Sequence, residues 1–375
     1  MIQYPTYKLG EILSYEQPTN YIVESTEYDN SYPTPVLTAG KSFILGYTNE
    51  KEGVYDKLPV IIFDDFTTAS KYVDFKFKVK SSAMKILSCN EKIADIKYVY
   101  YFMQITNIPC DTHKRYWISD YSKVEIPLPP LATQRTIVTR IESLFAELDK
   151  GVEKLKTAQQ QLKVYRQAVL NDCLTKDSEK WKIVKLGEVA EMCLGKMLDK
   201  NKNKGNYQPY LRNVNVRWGS FDLDDLLEMR FEDSEQERYG LQNGDLIMCE
   251  GGEPGRCAIW NGEAQNMKIQ KALHRIRLKS SVSNKYIYYL FYHYAQNGLL
   301  ENYFTGTTIK HLTGQSLKSI EIPLPSLPTQ QRIVQEIETR LSACDEVEKN
   351  IAESLQQAEA LRQSILKKAF SGELV

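Results

Sequence analysis

Apolar positions along this chain alternate between two spacings, and the alternation happens twice. Ile137, Ile141, Leu144, Leu148, Gly151, Leu155, Ala158, Leu162, Tyr165 and Val169 follow a 4-3-4-3 spacing, the seam of a long coiled-coil helix. Ile333, Ile337, Arg340, Cys344, Val347, Ile351, Ser354, Ala358, Leu361 and Ile365 repeat it 196 residues on; Leu341 and Leu355 keep the stripe apolar where Arg340 and Ser354 interrupt it. Prolines close off strand before each helix, and Thr133 and Thr329 or Ser326 offer N-cap oxygens. A helix of ~40 residues is ~60 Å long and overhangs a globular part beside it. Each stripe is narrow, with charged or Gln-rich flanks, so the simplest partner for one is the other, with packing of each on its own globular part as the alternative. The expected seam is Ile137, Ile141, Leu144, Leu148, Leu155 and Leu162 against Ile333, Ile337, Val347, Ile351, Leu361 and Ile365.

Ahead of each helix lie short strand-like runs (59–63, 73–79, 245–248, 273–278), one helix-like aromatic stretch and many turn residues. Three anchors recur in order. KLGEI at 8–12 returns as KLGEV at 185–189, KYVYY at 97–101 as KYIYY at 285–289, and EIPLP at 125–129 as EIPLP at 321–325. The offset grows from 177 to 188 to 196, so the second copy has gained residues between anchors. One such match is chance; three in register are a duplication. The fold class expected is α+β: two globular α/β heads, 1–124 and 176–320, joined by helical regions 125–175 and 321–375 that form an antiparallel coiled coil in a pseudo-two-fold repeat.

Composition narrows the class without choosing a function. With 42% apolar and 26% charged residues, the chain is globular rather than collagen-like or disordered. No window approaches eighteen uninterrupted apolar residues, and the first residues lack a basic and an apolar signal region. Seven scattered cysteines without a CxxC pair fit free thiols, and a cytoplasmic location is expected. Net charge is zero, with 48 basic and 48 acidic side chains, which by itself argues mildly against nucleic acid. The division is uneven: 176–320 carries 21 basic and 18 acidic residues, while 321–375 carries 6 and 9.

The repeated segments carry a resemblance. EIPLPPLATQRTIV (125–138) and EIPLPSLPTQQRIV (321–334) look like the conserved-region openings of the specificity subunit of type I restriction–modification systems. LRQSILKKAFSGELV (361–375) resembles that family's C-terminus, and GDLIMCEGGEPGRCAIW (244–260) and GTTIKHL (306–312) resemble its target recognition domains. The resemblance implies that each head reads one half of a bipartite, asymmetric double-stranded DNA site. The helices would set the unread spacer and dock two modification subunits, which carry S-adenosylmethionine and methylate adenine. A restriction subunit with its ATP and Mg can join them; no cofactor is assigned to this chain. The first head departs from the pattern, with LPVIIFDDFTTAS (58–70) in place of the GDL…GxxG run. The specificity subunit of a type IIB enzyme shares the two-headed plan, and a coiled-coil scaffold whose heads bind proteins is the rival from another class.

Chemistry of its own is not expected. The single Pro-Pro, Pro129-Pro130, lacks the polar and aromatic neighbours of an adenine methyltransferase loop, and no GxxxxGK[ST] loop exists. Asp64-Asp65 and Asp224-Asp225 read as solvated turns before they read as metal sites. His113, His274, His293 and His311 lack ligand spacing. DNA contacts need cations that reach phosphates and base edges. Lys76, Lys78 and Lys80 alternate with apolar residues on one strand-like run, and Arg275 and Arg277 on another; the runs lie at similar distances from EIPLP and are expected to be equivalent strands. Lys196, Lys200, Lys202 and Lys204 form a basic loop, Gly251, Gly252 and Arg256 a tight loop, and Thr308 and Lys310 precede the final strand. For each group, ordinary solvated surface remains the alternative. The aromatic stretches at 98–101 and 286–294 are expected to pack as helices rather than stack on bases.

Overall fold

The computed structural model describes residues 4–38, 40, 42–110, 114–199 and 201–374. The chain folds as two compact units, Met1–Lys156 with Ala352–Val375, and Thr157–Ile351. Each unit therefore contains one head and a part of each long helix.

In the first unit the strands are β1 (Thr6–Lys8), β2 (Leu13–Glu16), β3 (Thr34–Leu37), β4 (Ile44–Thr48), β5 (Val60–Asp64), β6 (Ser70–Val73), β7 (Lys78–Val79), β8 (Met84–Cys89) and β9 (Glu125–Pro127). Four form an antiparallel sheet ordered β2-β8-β5-β6, three a second sheet ordered β4-β3-β7, and β1 pairs with β9. The run Val60–Phe63 is buried on both faces because two cores meet across it. Ile61 and Phe63 face one core with Leu87, Tyr98 and Ile141, while Val60 and Ile62 face another with Leu37, Phe77 and Val79. Alternate side chains of a strand point to opposite faces, which is why a continuous apolar run suits this strand.

The second unit repeats this plan. Its strands are β10 (Lys182–Lys185), β11 (Ala190–Leu194), β12 (Asn206–Leu211), β13 (Val216–Arg217), β14 (Ser220–Phe221), β15 (Leu227–Phe231), β16 (Leu246–Cys249), β17 (Cys257–Ile259), β18 (Lys268–Ile269), β19 (Leu273–Leu278) and β20 (Glu321–Leu324). The sheets are β11-β19-β16-β17, β15-β12-β18 and β10-β20, strand for strand the order of the first unit. Even the parallel strand pairing recurs, β3 with β7 and β12 with β18. The hairpin of β13 and β14 is inserted between β12 and β15, and accounts for part of the growth in offset.

The repeated motifs form the joint between head and helix. Helix α1 (Ile96–Met103) and its counterpart α3 (Asn284–Gln296) carry KYVYY and KYIYY; α2 (Leu131–Thr175) and α4 (Leu327–Phe370) are the long helices. Gln134 accepts the N–H of Asp95 at 2.8 Å and donates to the carbonyls of Pro129 at 2.7 Å and Ile93 at 3.0 Å. Gln330 accepts the N–H of Ser283 at 2.8 Å and donates to Pro325 at 2.8 Å and Ser281 at 3.4 Å. The Tyr98 hydroxyl donates to the Pro127 carbonyl and that of Tyr286 to the Pro323 carbonyl. Lys97 meets Glu142 and Lys285 meets Glu338. The aromatic stretches thus pack as helices, with Tyr98 and Tyr286 buried. At the helix starts, the Gln134 N–H bonds the Pro130 carbonyl and that of Gln330 bonds the Ser326 carbonyl. Pro130 and Ser326 therefore occupy the caps, and Thr133 and Thr329 lie inside the first turn.

Within each unit the helix segments run antiparallel. Ile137, Val138 and Ile141 share a core with Leu366 and Ala369, and Arg362 lies 4.3 Å over the Phe145 ring with its head on Asp149. In the second unit Leu170 and Leu174 meet Ile333, Val334 and Ile337, Asp172 pairs with Arg340, and Arg166 with Asp345 and Glu348. Ile137, Ile141, Ile333, Ile337, Ile351 and Ile365 are buried; Leu144, Leu148, Leu155 and Leu162 are half-buried, as a two-helix contact leaves them. Val347 and Leu361 are exposed at 46% and 51%, against expectation. Arg362 turns inward in place of Leu361, because its stem covers apolar surface while its charged end finds Asp149; next to Val347, Glu348 pairs with Arg166 but stays half-exposed.

Candidate nucleic-acid interface

In each head the strand ends away from the long helix carry loops laced together by backbone hydrogen bonds. In the second head, Glu250 N–H bonds Ala272 O, Leu312 N–H bonds Glu250 O, Gln270 N–H bonds Leu211 O and Lys271 N–H bonds Lys196 O. In the first, Asp65 N–H bonds Ala83 O, Tyr116 N–H bonds Asp65 O and Lys80 N–H bonds Leu37 O. Three of these bonds recur between equivalent loops in both heads, with different side chains on the loops. Lys80, Lys114 and Arg115 stand exposed on the first edge, and Lys271 and Lys310 on the second. Sequence reasoning missed Lys271, which starts the run ending in Arg275 and Arg277 and whose exposure follows from preceding β19 rather than lying in it.

The tight loop and the final-strand loop do come together. Gly252, Pro254, Thr308 and Lys310 line a groove of about 500 Å³ with Trp218 and Phe304. Gly252 has φ +77°, a conformation that favours glycine, while a Cβ on Gly251 would meet the His311 ring at 3.0 Å. Arg256 does not point outward: it bonds Glu253 at 2.7 Å and the Asn213 carbonyl at 2.9 Å, bracing the loop.

Other expected contacts are turned inward. Arg275 is buried, held by Glu191 at 2.7 Å and by the carbonyls of Glu237 and Gly240. Arg277 grips both oxygens of Asp245 at 2.8 Å. Lys78 is buried on Glu50 at 2.6 Å and the Glu52 carbonyl, and Lys196 is buried on Glu235. A cation enclosed in a sheet needs a partner, and each found one from elsewhere in its own head. Burial alone would raise Glu50, but the Lys78 ammonium and the N–H groups of Ser25 and Glu24 hold it below the ordinary value; Lys196 does the same for Glu235 against burial. Lys76, Lys202 and Lys204 are exposed, Lys76 at 4.0 Å from Asp56 and Lys202 at 3.8 Å from Asp199. Lys200 lies outside the described residues, as does His113.

The two basic runs are also not equivalent strands. Only Lys78–Val79 of the first is strand, pairing with β3 as Lys268–Ile269 pairs with β12; the counterpart of β19 is β8. The acidic pairs serve the fold. Asp64 accepts the N–H groups of Phe66 and Thr67, Asp65 is buried on Lys85 at 3.2 Å, and Asp225 holds Arg212. Among the described residues no group of three or more His, Cys, Asp or Glu is placed to hold a metal, and no helix is long and apolar enough to cross a membrane. All seven cysteines are free; burial pushes Cys89 up to about 12 and Cys249 up to about 11, so both stay protonated thiols. Burial holds His274 and His293 below the ordinary imidazole value.

Two heads of one topology, each mounted on antiparallel helix segments and each ending in a laced loop edge of different sequence, define a duplicated recognition protein. The chain belongs to the type I restriction–modification DNA specificity family, whose domain matches residues 1–157 and again 178–357. The type I restriction enzyme EcoR124I/EcoR124II specificity subunit of Escherichia coli is 35% identical over 384 residues, 95% of this chain and 90% of the relative. The EcoKI specificity subunit of Escherichia coli strain K12 is 30% identical over 68% of this chain and 59% of its own length. In fold, the chain resembles one solved for complex assembly and conformational transition of the type I R-M system (TM-score 0.74, 18% identity, 99% of this chain and 98% of that one). It also resembles the HsdS subunit from Thermoanaerobacter tengcongensis (TM-score 0.60, 18% identity, 99% and 97%).

Proposed function

We propose that residues 1–124 and 176–320 are target recognition heads that each read one half of a bipartite, asymmetric DNA site through their loop edges. The helical regions 125–175 and 321–375 set the unread spacer and dock two modification subunits. Those subunits supply S-adenosylmethionine and methylate adenine in the cytoplasm; a restriction subunit brings ATP and Mg. The observation that carries this reading is one strand order occurring twice with unlike side chains on the equivalent loops, the arrangement required of two readers with different half-sites. The chain is neutral, so the partner subunits supply the cationic surface that clamps the duplex. A genome-wide map of methylated adenine, with this gene present and deleted, tests it. Loss of a single bipartite motif is expected on deletion; an unchanged map in a host that expresses the partner subunits rejects the reading.

A further inference from the structure

The loop edges differ between the heads, while the joints that carry them are built alike. Gln134 and Gln330 are both 0% exposed, and each ties together the loop capping the head's helix, the proline turn and the first turn of the long helix. An apolar side chain of similar length would fill such a space without preferring a direction, whereas three hydrogen bonds fix an angle. The tyrosine–proline bond and the lysine–glutamate pair add two more ties at the same places in both units.

We infer that Gln134 and Gln330 are positioning residues that hold each head at one angle on its long helix, and that this stiffness selects the spacer length. The inference rests on the half-site reading proposed above. One base pair of spacer displaces a half-site by ~3.4 Å and turns it by ~35°. A head free to swing on its helix accepts neighbouring spacers; a clamped head rejects them.

The test uses the full chain co-expressed with its modification subunit, read by genome-wide adenine methylation. Gln134→Met and Gln330→Met keep length and bulk while removing every side-chain hydrogen bond. Both half-sequences should persist, while methylation at spacers one base pair longer or shorter rises about tenfold relative to the normal spacer. Lys97→Gln and Lys285→Gln, at half-exposed and exposed members of the same joints, should act in the same direction and more weakly. They decide alone if the glutamine variants fail to assemble. An unchanged spacer preference, whether total methylation is retained or uniformly reduced, overturns the inference. A wild-type complex that methylates no bipartite motif overturns the half-site reading itself, and this inference with it.

Discussion

Arg275 is 1% exposed, and its guanidinium is spent on Glu191 and two carbonyls of its own head. Lys271, four residues earlier, is exposed where the loops meet. The two cations should therefore behave oppositely. Arg275→Met is expected to destabilise the chain by ~1–3 kcal/mol in denaturant unfolding, since carbonyls lose their donors. Lys271→Ala should leave stability within ~0.5 kcal/mol and lower modification through one half-site only; equal loss at both half-sites would remove Lys271 from the reading edge. Histidine supplies a pH dependence whose sign follows from burial. His274 and His293 both bind their proton less readily folded than unfolded, with the Leu312 carbonyl only partly offsetting burial at His274. Their contribution is complete above the unfolded value of ~6.5 and is lost as pH falls through the lower folded value. Replacing them with Gln and Asn should flatten the fall in melting temperature between about pH 7 and 5. Glu50 and Glu235, also depressed, act further into acid and leave that window to the histidines.

At the scale of elements, the 4-3 spacing located both long helices because it records a local geometry that any partner must respect. It could not choose between Leu361 and Arg362, since both flank the seam. The choice fell to Asp149 and Phe145, contributed by the other helix. The helix pair also offers a direct test of its proposed role as a ruler. Removing one heptad from α2 and the facing heptad from α4 shortens the pair by ~10 Å. The preferred spacer should fall by about two to three base pairs with both half-sequences kept, as read by methylation mapping. A spacer that does not change would show that the helices do not measure it.

Across the molecule, the duplication was legible as three anchors in order, and each anchor has its own place in the fold. KLGEI turns the chain from the β1–β9 strand pair into the main sheet, KYVYY supplies the joint helix, and EIPLP closes that strand pair and starts the long helix. The strands between anchors were harder to match. The runs at 75–80 and 273–278 look alike in charge alternation, yet β19 corresponds to β8, whose side chains are mostly apolar. The repeat, the two long helices, the packing of the aromatic stretches and the family were all readable from the chain alone, because each is written in local periodicity or contiguous motif. Which cations face outward, which charged residues enter the seam and which strands are equivalent emerged only on folding. Those depend on partners far apart in the chain, as Lys78 depends on Glu50 and Arg275 on Glu191, and a buried charge goes where its partner is.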